Sequence, residues 1–202
     1  MFALVEDGSI TKFLSGNRGI TIGDNQYPKA IFTLWTKSER EAIGIYEVEM
    51  DISKFKDEKW YINTNITYSF GSGKVTGSYG DATAKAHADT LYTAQDETDG
   101  LGTEGEVKAE GLKTILIRNV KAQANQLLSE TDWYVTRKTE KSTAIPSNIT
   151  TWRNGIRSKQ AAMETSITNA SDTPALETLY TYVNTADEGD PVVIERPLGE
   201  FP

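Results

Sequence analysis

The sequence predicts an α+β protein: a small N-terminal β-rich module with a short helix, then a C-terminal three-helix bundle or hairpin. Period-two patterning with tight-turn residues runs through positions 1–79, and apolar stripes of helical period run through 106–186. Between them, over 80–105, periodicity lapses while glycine and acidic residues accumulate. The expected organisation is a β-rich docking module (1–79), an acidic Gly-containing linker (80–105), a helical module (106–186) and an extended acidic C-terminal arm (187–202).

Phe2 to Val5 and Ile10 to Phe13 flank Asp7-Gly8, whose tolerance of positive φ predicts a hairpin. Ile20-Thr21-Ile22 adds a strand, and Tyr27-Pro28 enforces an extended or turn segment. Thr36 and Glu39 have capping-box spacing and Gly44 is a stop, which predicts a short helix over Lys37 to Ile43. Ile45 to Met50 alternates apolar and acidic residues, as a strand with one wet face does. Trp60, Ile62, Ile66, Tyr68 and Phe70 share one parity and are the expected docking-module core, with Gly71-Ser72-Gly73 turning the chain into Lys74 to Tyr79.

In the helical module, Leu112, Leu116, Val120, Ala124, Leu127 and Leu128 lie on one face of a long first helix, interrupted by Lys113. Ile149, Trp152, Ile156, Met163 and Ile167 mark a second helix, with Asn148 as its expected N-cap and Gln160 breaking the stripe. Thr173-Pro174 opens a third, faced by Leu176, Leu179, Tyr180 and Val183. Two arrangements compete: a bundle closed within one chain, favoured because short loops make antiparallel neighbours, and self-association of the long first helix, whose seam lacks a clean heptad. Trp133-Tyr134 with Arg137-Lys138 reads either as a patch for a partner or sugar or, the favoured reading, as aromatic anchoring of a helix end in the core. The named core anchors are therefore Leu112, Leu116, Val120, Leu127, Leu128, Trp133, Trp152, Ile156 and Met163.

Composition narrows the function classes. The 202-residue chain has 38% hydrophobic residues, no cysteine and a net charge of −8, so disulfide, thiolate and sulfur-ligand chemistry are absent. Residues 80–105 hold six acidic and one basic side chain and 187–202 hold five and one, whereas the two folded segments are near neutral. This distribution argues against nucleic acid, which rewards clustered Lys and Arg. No apolar run reaches the length of a membrane span, and no export signal is expected.

No residue set assembles a catalytic, metal or cofactor site. His87 is the only histidine, and Gly71-Ser72-Gly73-Lys74 lacks the Gly and Ser/Thr of a phosphate loop. Gln95, Glu97, Asp99, Gly100 and Glu106 match an EF-hand loop only in part, with an amide at its first position, and read as a solvated acidic linker. The sequons at Asn65, Asn148 and Asn169 read as chance.

Leu127-Leu128-Ser129-Glu130-Thr131-Asp132-Trp133, Ala144-Ile145-Pro146, Trp152-Arg153, Ile156-Arg157 and the closing Arg196 to Pro202 resemble the C-terminal region of tailed-bacteriophage tail-fibre assembly and tail-associated proteins. Asp7-Gly8, Tyr27-Pro28, Ser38-Glu39-Arg40 and Gly44-Ile45 are similar to the front modules of such proteins. The resemblance implies a non-enzymatic virion protein of the tail, associated with fibres or the tail tip and made in the host cytoplasm. Its partners would be other tail or fibre proteins and further copies of itself in a symmetric assembly, with no cofactor. Two alternatives remain: a fibre-assembly chaperone absent from mature particles, and a glycan-binding tail protein. The complete β-rich front module departs from the shortest chaperone pattern.

Overall fold

The structure, a computed structural model, describes all 202 residues. The chain divides into two units, Met1–Thr83 and Ala84–Pro202.

In the first unit, β1 (Phe2–Glu6) and β2 (Ser9–Leu14) form the expected hairpin, with Asp7 and Gly8 at φ 49° and 75°. A two-stranded ladder, β3 (Ile20–Ile22) with β4 (Asn25–Tyr27), leads into α1 (Ile31–Leu34) and α2 (Lys37–Glu41). The Thr36 hydroxyl accepts from the Glu39 amide, and the Glu39 carboxylate accepts from the Thr36 amide at 2.7 Å, so the capping box is complete. Then come β5 (Ile45–Asp51), β6 (Tyr61–Ile62), β7 (Ile66–Gly71) and β8 (Lys74–Tyr79). The main sheet has the order β2-β1-β5-β8-β7, antiparallel except for the parallel β5–β8 pair.

Both faces of this sheet are apolar, which is why Phe2 to Val5 is an unbroken apolar run. Leu4, Leu14 and Ile45 pack with Ile20, Ile31 and Phe32 on one face, while Ala3, Val5 and Val75 pack with Tyr46, Val48 and Phe70 on the other. The sheet curls enough for its two edge strands to touch, Phe13 of β2 lying 4.6 Å from Tyr68 of β7 between ring centroids. That contact makes a half-barrel and blunts both edges.

The expected run from Trp60 to Phe70 is not one strand. Asn63 bonds the Lys56 backbone in both directions at 3.0 Å, and this pulls 63–65 out of the ladder. Side-chain parity restarts at Ile66, so Trp60 and Tyr61 are buried, Ile66, Tyr68 and Phe70 are half-buried, and Ile62 is 57% exposed and no core residue.

The two residues of β9 (Thr83–Ala84) are the last of the first unit and the first of the second. Here the stretch expected to be a linker is ordered. β10 (Thr90–Leu91) pairs with β11 (Val107–Ala109), and α3 (Ala94–Thr98) lies between them, capped by Thr93 and Asp96. Four helices follow: α4 (Leu112–Ser129), α5 (Asp132–Lys141), α6 (Ser147–Asn169) and α7 (Thr173–Tyr180). They exceed the expected three by α5. The last elements are β12 (Val183–Asn184) and β13 (Ile194–Glu195), which pair.

Leu112, Leu116, Val120 and Ala124 of α4 are buried, as are Ile156, Met163 and Ile167 of α6. Lys113 reaches the Thr168 carbonyl at 2.8 Å, Lys121 lies 3.3 Å from Glu164, and Arg153 reaches the Leu128 carbonyl, so the two helices run antiparallel. Lys113 interrupts the stripe for a reason: its ammonium caps the C-terminal end of α6, where carbonyl charge is concentrated. Leu127, Leu128 and Trp152 are only half-buried.

The N-terminus of α4 is closed by chain that precedes it. Gly111 at the N-cap has no side chain, and the Leu112 and Lys113 amides donate to the carbonyls of Ala86 and His87. The Asp89 carboxylate accepts from the Gly111 amide at 2.6 Å and the Thr114 hydroxyl at 2.8 Å. Those bonds, the Gly111 amide first, hold the Asp89 carboxyl below the usual carboxylate range.

At the other boundaries, α6 begins at Ser147 after Pro146, which places Asn148 inside the helix and not at its cap. Asp172 caps α7 through the Ala175 amide at 2.8 Å. Val183 lies beyond α7 and is exposed in β12. The closing segment is not wholly an extended arm, because the Leu198 amide donates to the Leu179 carbonyl at 3.0 Å and Leu198 is 4% exposed. No helix is long and apolar enough to cross a membrane.

Candidate interaction surface

α5 is the element that the fold does not absorb. None of its ten residues is buried, and a helix this short is marginal in water without packing. Local charge favours it: Asp132 stands in its first turn and Lys138 and Lys141 in its last, matching the helix dipole. Ser142, at φ 55°, ends it in the left-handed region.

What fixes its position is Arg153. This α6 residue is 6% exposed, and its guanidinium donates to the Leu128 carbonyl at 2.8 Å, the Thr131 hydroxyl at 2.6 Å and Asp132 Oδ1 at 2.8 Å. One cation therefore joins the last turn of α4, the connection and the first turn of α5. The α4 carbonyl is among those with no partner inside the helix, which is where an arginine is most useful.

The clamp carries an aromatic and cationic face. The rings of Trp133 and Tyr134 lie 3.8 Å apart between centroids at 30°, with the Arg137 guanidinium 4.8 Å and 5.2 Å from them. Trp133 is 52% exposed, which corrects its expected place in the core. An indole can satisfy its amphipathic character by stacking with a neighbour and a guanidinium while remaining at the surface. Arg137 Nε is shielded from solvent yet has no hydrogen-bond acceptor.

Of the expected anchors, Leu112, Leu116, Val120, Ile156 and Met163 converge in the α4–α6 core, Leu127, Leu128 and Trp152 lie at its margin, and Trp133 lies outside it. Arg153 was not among them. Its signal was positional, since 149, 153, 156, 160, 163 and 167 also follow helical spacing, and the stripe passes through Arg153 as readily as through Trp152.

Elsewhere the titratable groups are structural. Asp96 accepts from Lys108 at 2.7 Å and from the Thr93 amide at 2.9 Å, contacts that lower its carboxyl from 3.8 to about 2, Lys108 first. Residues 94–98 are helical, so the partial EF-hand match does not form a ligand loop, and Gln95 donates to Asp99 at 2.8 Å. A cleft between Lys159 and the β12–β13 end is framed by Tyr182 and Arg196, both bonded to Glu200. The Glu200 carboxylate, accepting from the Tyr182 hydroxyl, raises the phenol above its ordinary value. No His, Cys, Asp or Glu group of three converges as a metal set would.

Comparison with family models, with characterised proteins and with solved structures found no match.

Proposed function

We propose that the chain is a non-enzymatic assembly component of a tailed-bacteriophage tail, acting through protein–protein contact. The observation that supports this reading is α5: a helix with no buried residue, which offers exposed Trp133 beside half-buried Tyr134 and Arg137 on a polar clamp. Trp, Tyr and Arg are the residue types that dominate binding energy at protein interfaces, and their clustering at a rigid surface fits that role. The tail setting comes from the sequence resemblance, and other tail or fibre proteins are the partners it implies.

Quantitative mass spectrometry of purified particles of the encoding phage, normalised to a tail protein of known copy number, tests the proposal. A fixed, symmetry-compatible stoichiometry is expected. Absence from particles together with abundance in the lysate refutes a virion role and supports the chaperone alternative. Trp133→Ala separates interface from core: it should leave stability within ~0.5 kcal/mol, as surface substitutions do, while lowering incorporation into particles. A stability loss of ~3 kcal/mol, the scale of a core aromatic truncation, would contradict the exposed placement.

A further inference from the structure

We infer that α5 of one copy docks on the Asp187–Ile194 segment of a second copy of this chain. This rests on the assembly reading and names the partner of its surface. Trp133, Arg137 and Lys141 are spaced i, i+4, i+8 on one side of α5, and Tyr134 and Lys138 repeat the spacing beside them. The helix thus presents aromatic surface at its N-terminal end and positive charge at its C-terminal end, over ~12 Å.

The closing segment has the complementary layout. A turn in which the Asp190 amide donates to the Asp187 carbonyl at 3.1 Å gathers the exposed Asp187, Glu188 and Asp190. Val192, Val193 and Ile194 follow, Val192 being 70% exposed and Ile194 57%. From Asp190 to Ile194 an extended chain covers ~13 Å, the reach of the α5 stripe. Antiparallel to the helix, the acidic turn meets Arg137, Lys138 and Lys141, and the Val-Val-Ile run meets the aromatics. Because the two surfaces differ, the contact is head-to-tail, the kind that closes into rings or extends as filaments.

The test is sedimentation velocity of the full chain over a concentration series at low and high salt. Concentration-dependent association that weakens with salt is expected. Arg137→Glu with Lys138→Glu, and separately Asp187→Lys with Glu188→Lys, should each weaken self-association at least ~10-fold. An equimolar mixture of the two variants should associate again, since each restores the other's opposite charge. Lys141→Glu against Asp190→Lys repeats the exchange at a second pair, and circular dichroism of each variant checks its fold. A monomer at every concentration, association unaffected by both reversals, or a mixture no better than its components overturns the inference. The two readings fail separately: a monomeric chain still present at fixed stoichiometry in particles keeps the assembly role and removes this contact, whereas a self-associating chain absent from particles does the reverse.

Discussion

Replacing Arg153 by Met removes the clamp while keeping a side chain of similar length in its place. Buried hydrogen bonds to a charged group contribute ~1.5–3 kcal/mol each, but the three bonds here are not equal. Asp132 has a side chain that is 61% exposed and regains water when the cation leaves, so its ion pair counts for ~0–1 kcal/mol. The half-buried Thr131 hydroxyl loses the donor that its oxygen accepted from, but keeps its own bond to the Leu128 carbonyl at 3.1 Å. The Leu128 carbonyl loses its charged donor but keeps the Thr131 amide and hydroxyl, each at 3.1 Å, so it is weakened and not orphaned. Met also escapes the desolvation penalty of a buried guanidinium, which offsets part of the deficit. The net expectation is a loss of ~1–2 kcal/mol in the second unit, read by urea unfolding. Hydrogen exchange localises it: α5 amides should lose protection while those of α4 and α6 between Leu116 and Met163 keep most of theirs. A loss under ~0.5 kcal/mol with α5 protection intact would refute the argument that one side chain positions this helix.

Gly111→Ala should destabilise the second unit by ~1–3 kcal/mol, the range of overpacking, because a Cβ there overlaps the carbonyl carbon and oxygen of Ala88 and must displace the segment that caps α4; a thermal melt matching the parent would show that this segment is not held against the helix. Acid should act on α3 through Asp96, whose carboxyl is lowered from 3.8 to about 2, chiefly by Lys108. A lowered carboxylate stabilises the fold fully above its unfolded value, and that contribution is lost as pH falls through the folded value, so the window runs from pH 3.8 down to about 2. A carboxyl-detected NMR titration should place the midpoint there, and Lys108→Ala should move it upward; a midpoint at the ordinary value in the parent would remove the Lys108 contact from the solution structure.

The parts of the fold legible in the sequence are those decided within a few residues. Asp7-Gly8, the Thr36/Glu39 box and the stripe from Leu112 to Ala124 each contain their own cause, and each formed as expected. The errors come from partners distant in sequence. Asn63 binds the Lys56 backbone seven residues away, which breaks the parity that placed Ile62 inward in the sequence pattern. Ala86 to Asp89 become structured by closing a helix that starts more than twenty residues later, so a Gly- and acid-rich composition read as a linker. Leu198 is buried through the end of α7, a contact that local acidity and prolines did not reveal. The candidate surface was legible in its residue types, since Trp133-Tyr134 and Arg137-Lys138 had a patch among their two readings. Choosing between patch and anchor required the rotation of α5, and that depends on Arg153.

Stability alone does not account for a buried arginine between α4, α5 and α6. Apolar side chains of similar volume often serve as well or better in such positions, because they pay no cost of desolvating charge. What the guanidinium adds is direction: three donors of fixed geometry meet acceptors on Leu128, Thr131 and Asp132 only when the α4–α5 turn has one conformation. A helix serving the core has its orientation set by the face it buries. α5 has no buried residue and only Tyr134 and Arg137 are half-buried, so its orientation depends chiefly on its end, and the clamp is at that end. A rigidly aimed, unburied helix gains nothing for folding. In the assembly role proposed above, a direction fixed in advance reduces the ordering cost of binding.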